Sequence, residues 1–284
     1  MQALIRFFFV GLSGLLFGVI HADERRPNVL FISIDDMRFT SPTVLFNAMI
    51  NPLIGLRIRG VIWYQGESNI KNDPEKYIER FPAMITRWRE LWGQGDFPFY
   101  YVQIAPFEYG AEKSSWIIRD AQLKTMEIVP NVGMATTGDV GDRWLIHPGK
   151  KQEVGERLSY WALHKTYGFK SILCGGPMFK ALHLDDGNAL VEFECEPMGF
   201  TTFDKPLTDF QIAGSDRVFH PAKATIKTEW NKPASKRRLL VEVVSEKVPN
   251  PVAVRYGWSN WFEANLFDLS GNPASPFRTD DWTE

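Results

Sequence analysis

Residues 28–34 read NVLFISI, an almost unbroken apolar run that stops at Asp35-Asp36. Such a run predicts a strand buried on both faces, with polar groups at its carboxyl end. Residues 60–63 (GVIW), 97–105 (FPFYYVQIA) and 132–137 predict further strands of the same kind. Between them the apolar spacing turns helical. Tyr77, Phe81, Met84, Ile85, Trp88 and Leu91 share one helical face, with Asp73-Pro74 as the start signal, and Val154, Leu158, Trp161 and Ala162 share another, which Gly168 ends. Strands alternating with helices predict a parallel sheet covered on both faces, so residues 28–168 read as α/β. After Gly175-Gly176-Pro177 the texture changes. Short alternating runs at 189–195, 239–245 and 252–258, separated by Gly, Pro, Asn and Asp clusters, predict antiparallel strands. Residues 175–284 therefore read as a β-rich, sandwich-like module serving as support, with no site of its own. No internal repeat is present, and the basic stretch 232–238 reads as a solvated loop.

Residues 1–22 (MQALIRFFFVGLSGLLFGVIHA) stand apart. Arg6, the apolar stretch 7–20 and the small Ala22 have the form of a secretory signal peptide. The apolar stretch is shorter than the roughly 20 residues that a membrane span needs. The expectation is a secreted or periplasmic protein with no stable membrane partner, a signal anchor being the alternative. Composition narrows the class. The chain has 284 residues, 32 basic against 34 acidic side chains and 44% hydrophobic content, enough for one large domain or two modest ones. That balance excludes the basic character of a nucleic-acid binder and the composition of a disordered chain. Two cysteines, Cys174 and Cys195, make one disulfide or two separate thiols.

Candidate chemistry gathers in two loops. Gln65, Gly66, Glu67, Ser68 and Asn69 follow the strand at 60–63, where an open α/β sheet forms its ligand crevice. The Gln and Asn amides can donate to a developing oxyanion, and Gly66 permits close backbone approach. The alternative is a turn that caps the next helix. His147 follows the fourth predicted strand, with Asp142 and Asp139 upstream. A histidine acting as general base needs a carboxylate to hold its tautomer, and either aspartate meets that need if the loop folds back. His164, His183 and His220 read as structural. No Gly-x-Ser-x-Gly elbow, phosphate loop or zinc-spaced histidine pair occurs, and Asp35-Asp36 lacks a visible second half for a cation site.

Several stretches resemble the sialate O-acetylesterases, SGNH-like carbohydrate esterases. They are VLFNAMINPL (44–53), GVIWYQGESN (60–69), FPFYYVQIAPF (97–107), DVGDRWLIHPGKKQEVGERL (139–158) and PVAVRYGWSNWFEANLFDLSGNPASPFRTDDW (251–282). The resemblance implies an SGNH-hydrolase-like parallel sheet. It implies removal of O-acetyl groups from sialic acids or other acetylated sugars by a Ser-His-Asp mechanism, without cofactor or metal. On this resemblance His147 is the base, and Gln65, Gly66 and Glu67 belong to the acyl-site loop. Relatives carry an acid two residues before the histidine, where this chain has Leu145, which leaves Asp142 or Asp139 to orient His147. The family's Gly-Gln-Ser-Asn-Met-like nucleophile motif has no match. Residues 25–38 (RRPNVLFISIDDMR) instead resemble the opening of the sulfatases, whose Cys/Ser-x-Pro-x-Arg motif is absent. The chain thus reads as a signal peptide (1–22), a sulfatase-like strand and join (23–40), a partial esterase domain (41–174) and the β-rich module (175–284). An esterase sheet lacking its first strand would need its edge covered, and residues 28–34 are expected to dock there, bringing Asp35 and Asp36 near the nucleophile position. Two functions follow: an O-acetylesterase, impaired unless Ser68 substitutes as nucleophile, or a catalytically inactive sugar-binding remnant with Trp63, Tyr64 and Trp144 at its rim. A metal-dependent sulfatase rests on residues 25–38 alone.

Overall fold

The computed structural model describes the backbone of residues 28–33 and, with side chains, residues 44–110, 114–185, 187–195, 199–229, 231–233 and 236–283. The signal-like segment and Asp35-Asp36 lie outside the described residues.

The first half is built on a parallel sheet of β1 (Asn28–Ser33), β2 (Ile58–Tyr64), β3 (Phe99–Val102) and β4 (Val132–Ala135), in that spatial order. Parallel pairing needs crossovers, and the helices supply them: α1 (Tyr77–Trp92) between β2 and β3, and α2 (Ser115–Ile128) between β3 and β4. Strand alternation then sorts the side chains. Val61, Trp63, Phe99 and Tyr101 pack with Phe81, Ile85 and Trp88 of α1 and Ile118 of α2. Ile62, Tyr100, Val102 and Ala135 face the other way, against Val154, Leu158 and Trp161 of α3 (Lys151–Trp161). β1 lies on the open edge of β2, parallel and in register from Val29↔Gly60 to Ser33↔Tyr64, as the need for edge cover predicts. Among the described residues no helix is long and apolar enough to cross a membrane.

The second half contains two antiparallel sheets. One joins β5 (Met178–Asp185), β6 (Asn188–Glu194), β10 (Lys223–Thr228) and β11 (Leu239–Val244) in the order β10-β11-β6-β5. The other joins β8 (Phe210–Ala213), β9 (Phe219–Pro221), β12 (Ala253–Tyr256) and β14 (Phe277–Arg278) in the order β14-β12-β8-β9. β7 (Phe200–Thr201) and β13 (Phe267–Asp268) pair as a short ribbon. Val191, Phe193, Val241 and Val243 of the first sheet share a core with Ile212, Val254, Tyr256 and Phe277 of the second, which is a sandwich arrangement.

The β-rich half does more than flank the parallel sheet. Its closing segment returns to the loops at the carboxyl ends of β3 and β4. Ala264 N donates to Gly138 O (3.0 Å), Thr136 Oγ1 to Pro273 O (2.9 Å) and Gln103 Nε2 to Ser275 Oγ (3.0 Å). These contacts tie the β-rich half to the segments that follow β3 and β4.

Candidate active site

Because β2, β3 and β4 run parallel, the segments that follow them emerge at one edge of the sheet. After β2, Gln65 is only 6% exposed. Its carbonyl accepts from Gln122 Nε2 (3.3 Å) and Tyr77 Oη (3.3 Å), and its own Nε2 donates to Asn69 Oδ1 at 2.6 Å. A carboxamide nitrogen has two protons, so one remains for a further acceptor. Gly66 adopts φ +153°, and a Cβ there would stand 2.7 Å from Ile104 Cγ2. The backbone can pass so close to β3 only without a side chain. Glu67 opens a short 3-10 turn, Glu67–Lys71. Its carboxylate acts on Tyr64, Tyr77 and Tyr109, whose phenols are raised chiefly by burial and further by that charge. Ser68 is half-buried in the same turn, its carbonyl accepting from Asn72 Nδ2 (3.4 Å).

The segment after β4 carries the histidine. Asp139 is gripped by Arg157 of α3, Nη1 to Oδ1 and Nη2 to Oδ2 at 2.6 Å each, while the same guanidinium donates to Thr136 O at 2.9 Å. Asp142 Oδ1 accepts from the backbone amides of Trp144 (2.8 Å) and Leu145 (2.9 Å), a local Asx-type turn. Both aspartates that the sequence offers for His147 thus have defined partners of their own. His147 is exposed. Its loop is anchored at the sheet edge in several places. Lys151 Nζ lies 4.9 Å from the Tyr64 ring centroid, and Glu108 N donates to Arg143 O at 3.1 Å. Gly141 passes so near Pro106 that a Cβ would stand 2.5 Å from its carbonyl oxygen. Lys151, four residues after His147, therefore brings the start of α3 to Tyr64, the residue before the Gln65–Asn69 loop.

The aromatic rim is smaller than expected. Trp63 is 3% exposed, edge-on to Trp88 at 5.6 Å, because it shares the inward face of β2 with Val61. Tyr64 is half-buried, whereas Trp144 is 75% exposed with the Arg143 guanidinium 5.2 Å from its ring.

Several residues that build this edge escaped the sequence reading. Gln122 is wholly buried and spends its amide on the strand ends. Oε1 accepts from Ile104 N (2.9 Å), and Nε2 donates to Val102 O (3.2 Å) as well as to Gln65 O. Asn260, from the β-rich half, reaches the segment after β3. Its Oδ1 accepts from Ser115 N (3.0 Å) and Ser115 Oγ (2.9 Å), its Nδ2 donates to Gly110 O (2.9 Å), and its carbonyl accepts from Phe107 N (3.2 Å). It thereby caps α2 in place of Ser114, which makes no side-chain cap. Arg119 is 1% exposed, donating to Ser115 Oγ (3.0 Å) and to Ser259 O, with Phe262 beneath its guanidinium. Burial lowers its pKa to about 10, so it remains a cation at neutral pH. The signal for Arg119 and Gln122 was the polar spacing Ser115–Arg119–Gln122 along one helical face, and Asn260 had none.

Residues 35–162 match the family model described as carbohydrate esterase, sialic acid-specific acetylesterase. The sialate O-acetylesterase of Mus musculus is 32% identical over 260 residues, covering 81% of this chain and 46% of that protein. The sialate O-acetylesterase of Homo sapiens is 29% identical over 242 residues, covering 77% and 44%. Among solved structures, a carbohydrate acetylesterase from Xanthomonas citri superposes with a TM-score of 0.77 at 40% identity, covering 85% of this chain and 55% of that one. The chain spans somewhat under half the length of the curated relatives it matches.

Proposed function

Since the chain belongs to the sialic acid-specific acetylesterase family of carbohydrate esterases, we propose that it hydrolyses acetyl esters of sialic acid or another acetylated sugar at the carboxyl edge of its parallel sheet. The observation that carries this reading is the contact of Lys151, at the start of α3 just after the His147 loop, with Tyr64, the last residue of β2 before the Gln65–Asn69 loop. A serine hydroxyl attacks the acetyl carbonyl, and His147 takes its proton and returns it to the departing sugar oxygen. Water then repeats the sequence, releasing acetate. The free proton of Gln65 Nε2 and the Gly66 amide are the donors available to the oxyanion, fixed beforehand by Gln122 and Tyr77. Ser68, in the same turn, is the candidate nucleophile. The signal-like start of the sequence is the ground for reading it as an exported enzyme. Acetate release from O-acetylated sialic acid, lost in both His147→Ala and Ser68→Ala, is the expected result.

A second reading, a sugar-binding remnant without turnover, is favoured by one observation: the family's Gly-Gln-Ser-Asn-Met-like nucleophile motif has no match in the sequence. Saturable sugar binding by a folded chain that releases no acetate would select it.

A further inference from the structure

We propose that an apolar cleft at the amino end of the parallel sheet, opposite the Gln65 and His147 loops, binds a straight-chain carboxylate, with the alkyl chain in the cleft and the carboxylate on Arg59. The inference is independent of the esterase reading. The floor of the cleft follows from the sequence. Gly60, near the start of β2, and Pro98, just before β3, pass so closely that a Cβ at position 60 would stand 2.8 Å from Pro98 O. The floor therefore carries no side chain at that point, and Ile62 and Tyr100 continue it. The facing wall is the π-helical turn Ala162–Thr166 that extends α3, to which Ala162 and Leu163 contribute.

The cleft encloses about 60 Å³. A water needs only roughly 10–15 Å³ of such space, but it also needs several polar partners. Here the hydroxyls of the walls are already paired. Tyr100 Oη and Thr166 Oγ1 bond each other at 2.7 Å, and Ser159 Oγ donates to Glu156 O at 2.7 Å. A space with such walls favours an apolar occupant over water. At the mouth the character reverses. Arg59 and Tyr167 line the cleft and are exposed. The Arg59 guanidinium makes one long hydrogen bond, Nη2 to Thr166 O at 3.5 Å, and has no acidic partner among the described residues. A guanidinium offers its N–H groups as a planar fork that matches a carboxylate. An alkyl chain ending in a carboxylate satisfies both the walls and the mouth.

The test is calorimetric titration of the purified full chain with butanoate, hexanoate and octanoate, with 1-octanol as the uncharged control, beside Arg59→Gln and Ala162→Leu. One saturable site is expected, its affinity rising about fourfold per methylene from butanoate to hexanoate. Arg59→Gln should weaken octanoate about two- to fivefold and leave 1-octanol unchanged. Ala162→Leu fills the cleft and should abolish binding of both, with thermal melting to show that the variant is folded. Arg59 is exposed, so its variant decides the matter even if Ala162→Leu does not fold. Absence of saturable octanoate binding, affinity independent of chain length, or affinity indifferent to Arg59→Gln would overturn the inference. Octanoate binding left intact in folded Ala162→Leu would place the ligand elsewhere and overturn it too.

Discussion

Replacing Asn260 by alanine isolates what the β-rich half contributes to the site. The amide holds Ser115 N and Ser115 Oγ, and Ser115 is wholly buried. Its removal strands two buried donors, each worth about 1–3 kcal/mol when left unpaired. The third bond, to the exposed Gly110 carbonyl, is replaced by water. Partial entry of water beside Ser115 brings the expected loss to about 2–4 kcal/mol. Asn260→Asp is the informative control. It keeps the acceptor for both Ser115 groups and brings a carboxylate to a region whose buried cation, Arg119, has no ion-pair partner among the described residues. Its loss should stay below about 1 kcal/mol. Urea unfolding gives the stabilities, and amide hydrogen exchange at Phe107, Tyr109 and Ser115 reports the clamp directly. A loss under about 0.5 kcal/mol in Asn260→Ala with unchanged exchange, or equal damage in both variants, would refute the reasoning.

Gly66→Ala forces a Cβ to within 2.7 Å of Ile104 Cγ2 at φ +153° and should lower stability by about 1–3 kcal/mol, read as a shift in the denaturation midpoint. Arg157→Met removes both bonds to Asp139 and the bond to Thr136 O, leaving a half-buried carboxylate unpaired; a loss of about 2–3 kcal/mol is expected, and an unchanged midpoint would show the pair to be idle. Glu229, bonded by Arg238 and then Lys232, has its pKa lowered from 4.5 to about 2. A depressed carboxylate stabilises the fold above its unfolded value and loses that contribution as pH falls, so wild-type melting temperature should drop more steeply than that of Glu229→Gln between pH 4.5 and 2.

Where burial is apolar and periodic, the chain declares its own fold. β2, β3, β4, α1 and α3 each bury an apolar stripe and lie where the pattern put them. α2 did not announce itself, because its buried face carries Ser115, Arg119, Asp120, Gln122 and Thr125, and polar residues leave no hydrophobic period to read. β10 was missed for a related reason: it is an edge strand whose KATIKT pattern is mostly exposed. Trp63 was assigned to a rim from its place beside a polar loop, whereas strand parity with Val61 sends it into the core. The loops bearing Gln65 and His147 were legible because polar residues follow buried strands. The residues that hold those loops were not, since Asn260 acts across 145 positions of sequence.

The central claim is that the edge joining the Gln65 and His147 loops cleaves acetyl esters. Its most direct test is acetate release from O-acetylated sialic acid by the purified chain, beside His147→Ala and Gln65→Ala. The account expects turnover that vanishes without His147 and falls about 10²- to 10³-fold without the Gln65 amide. Turnover indifferent to His147, or its absence from a folded chain that still binds the sugar, would contradict it.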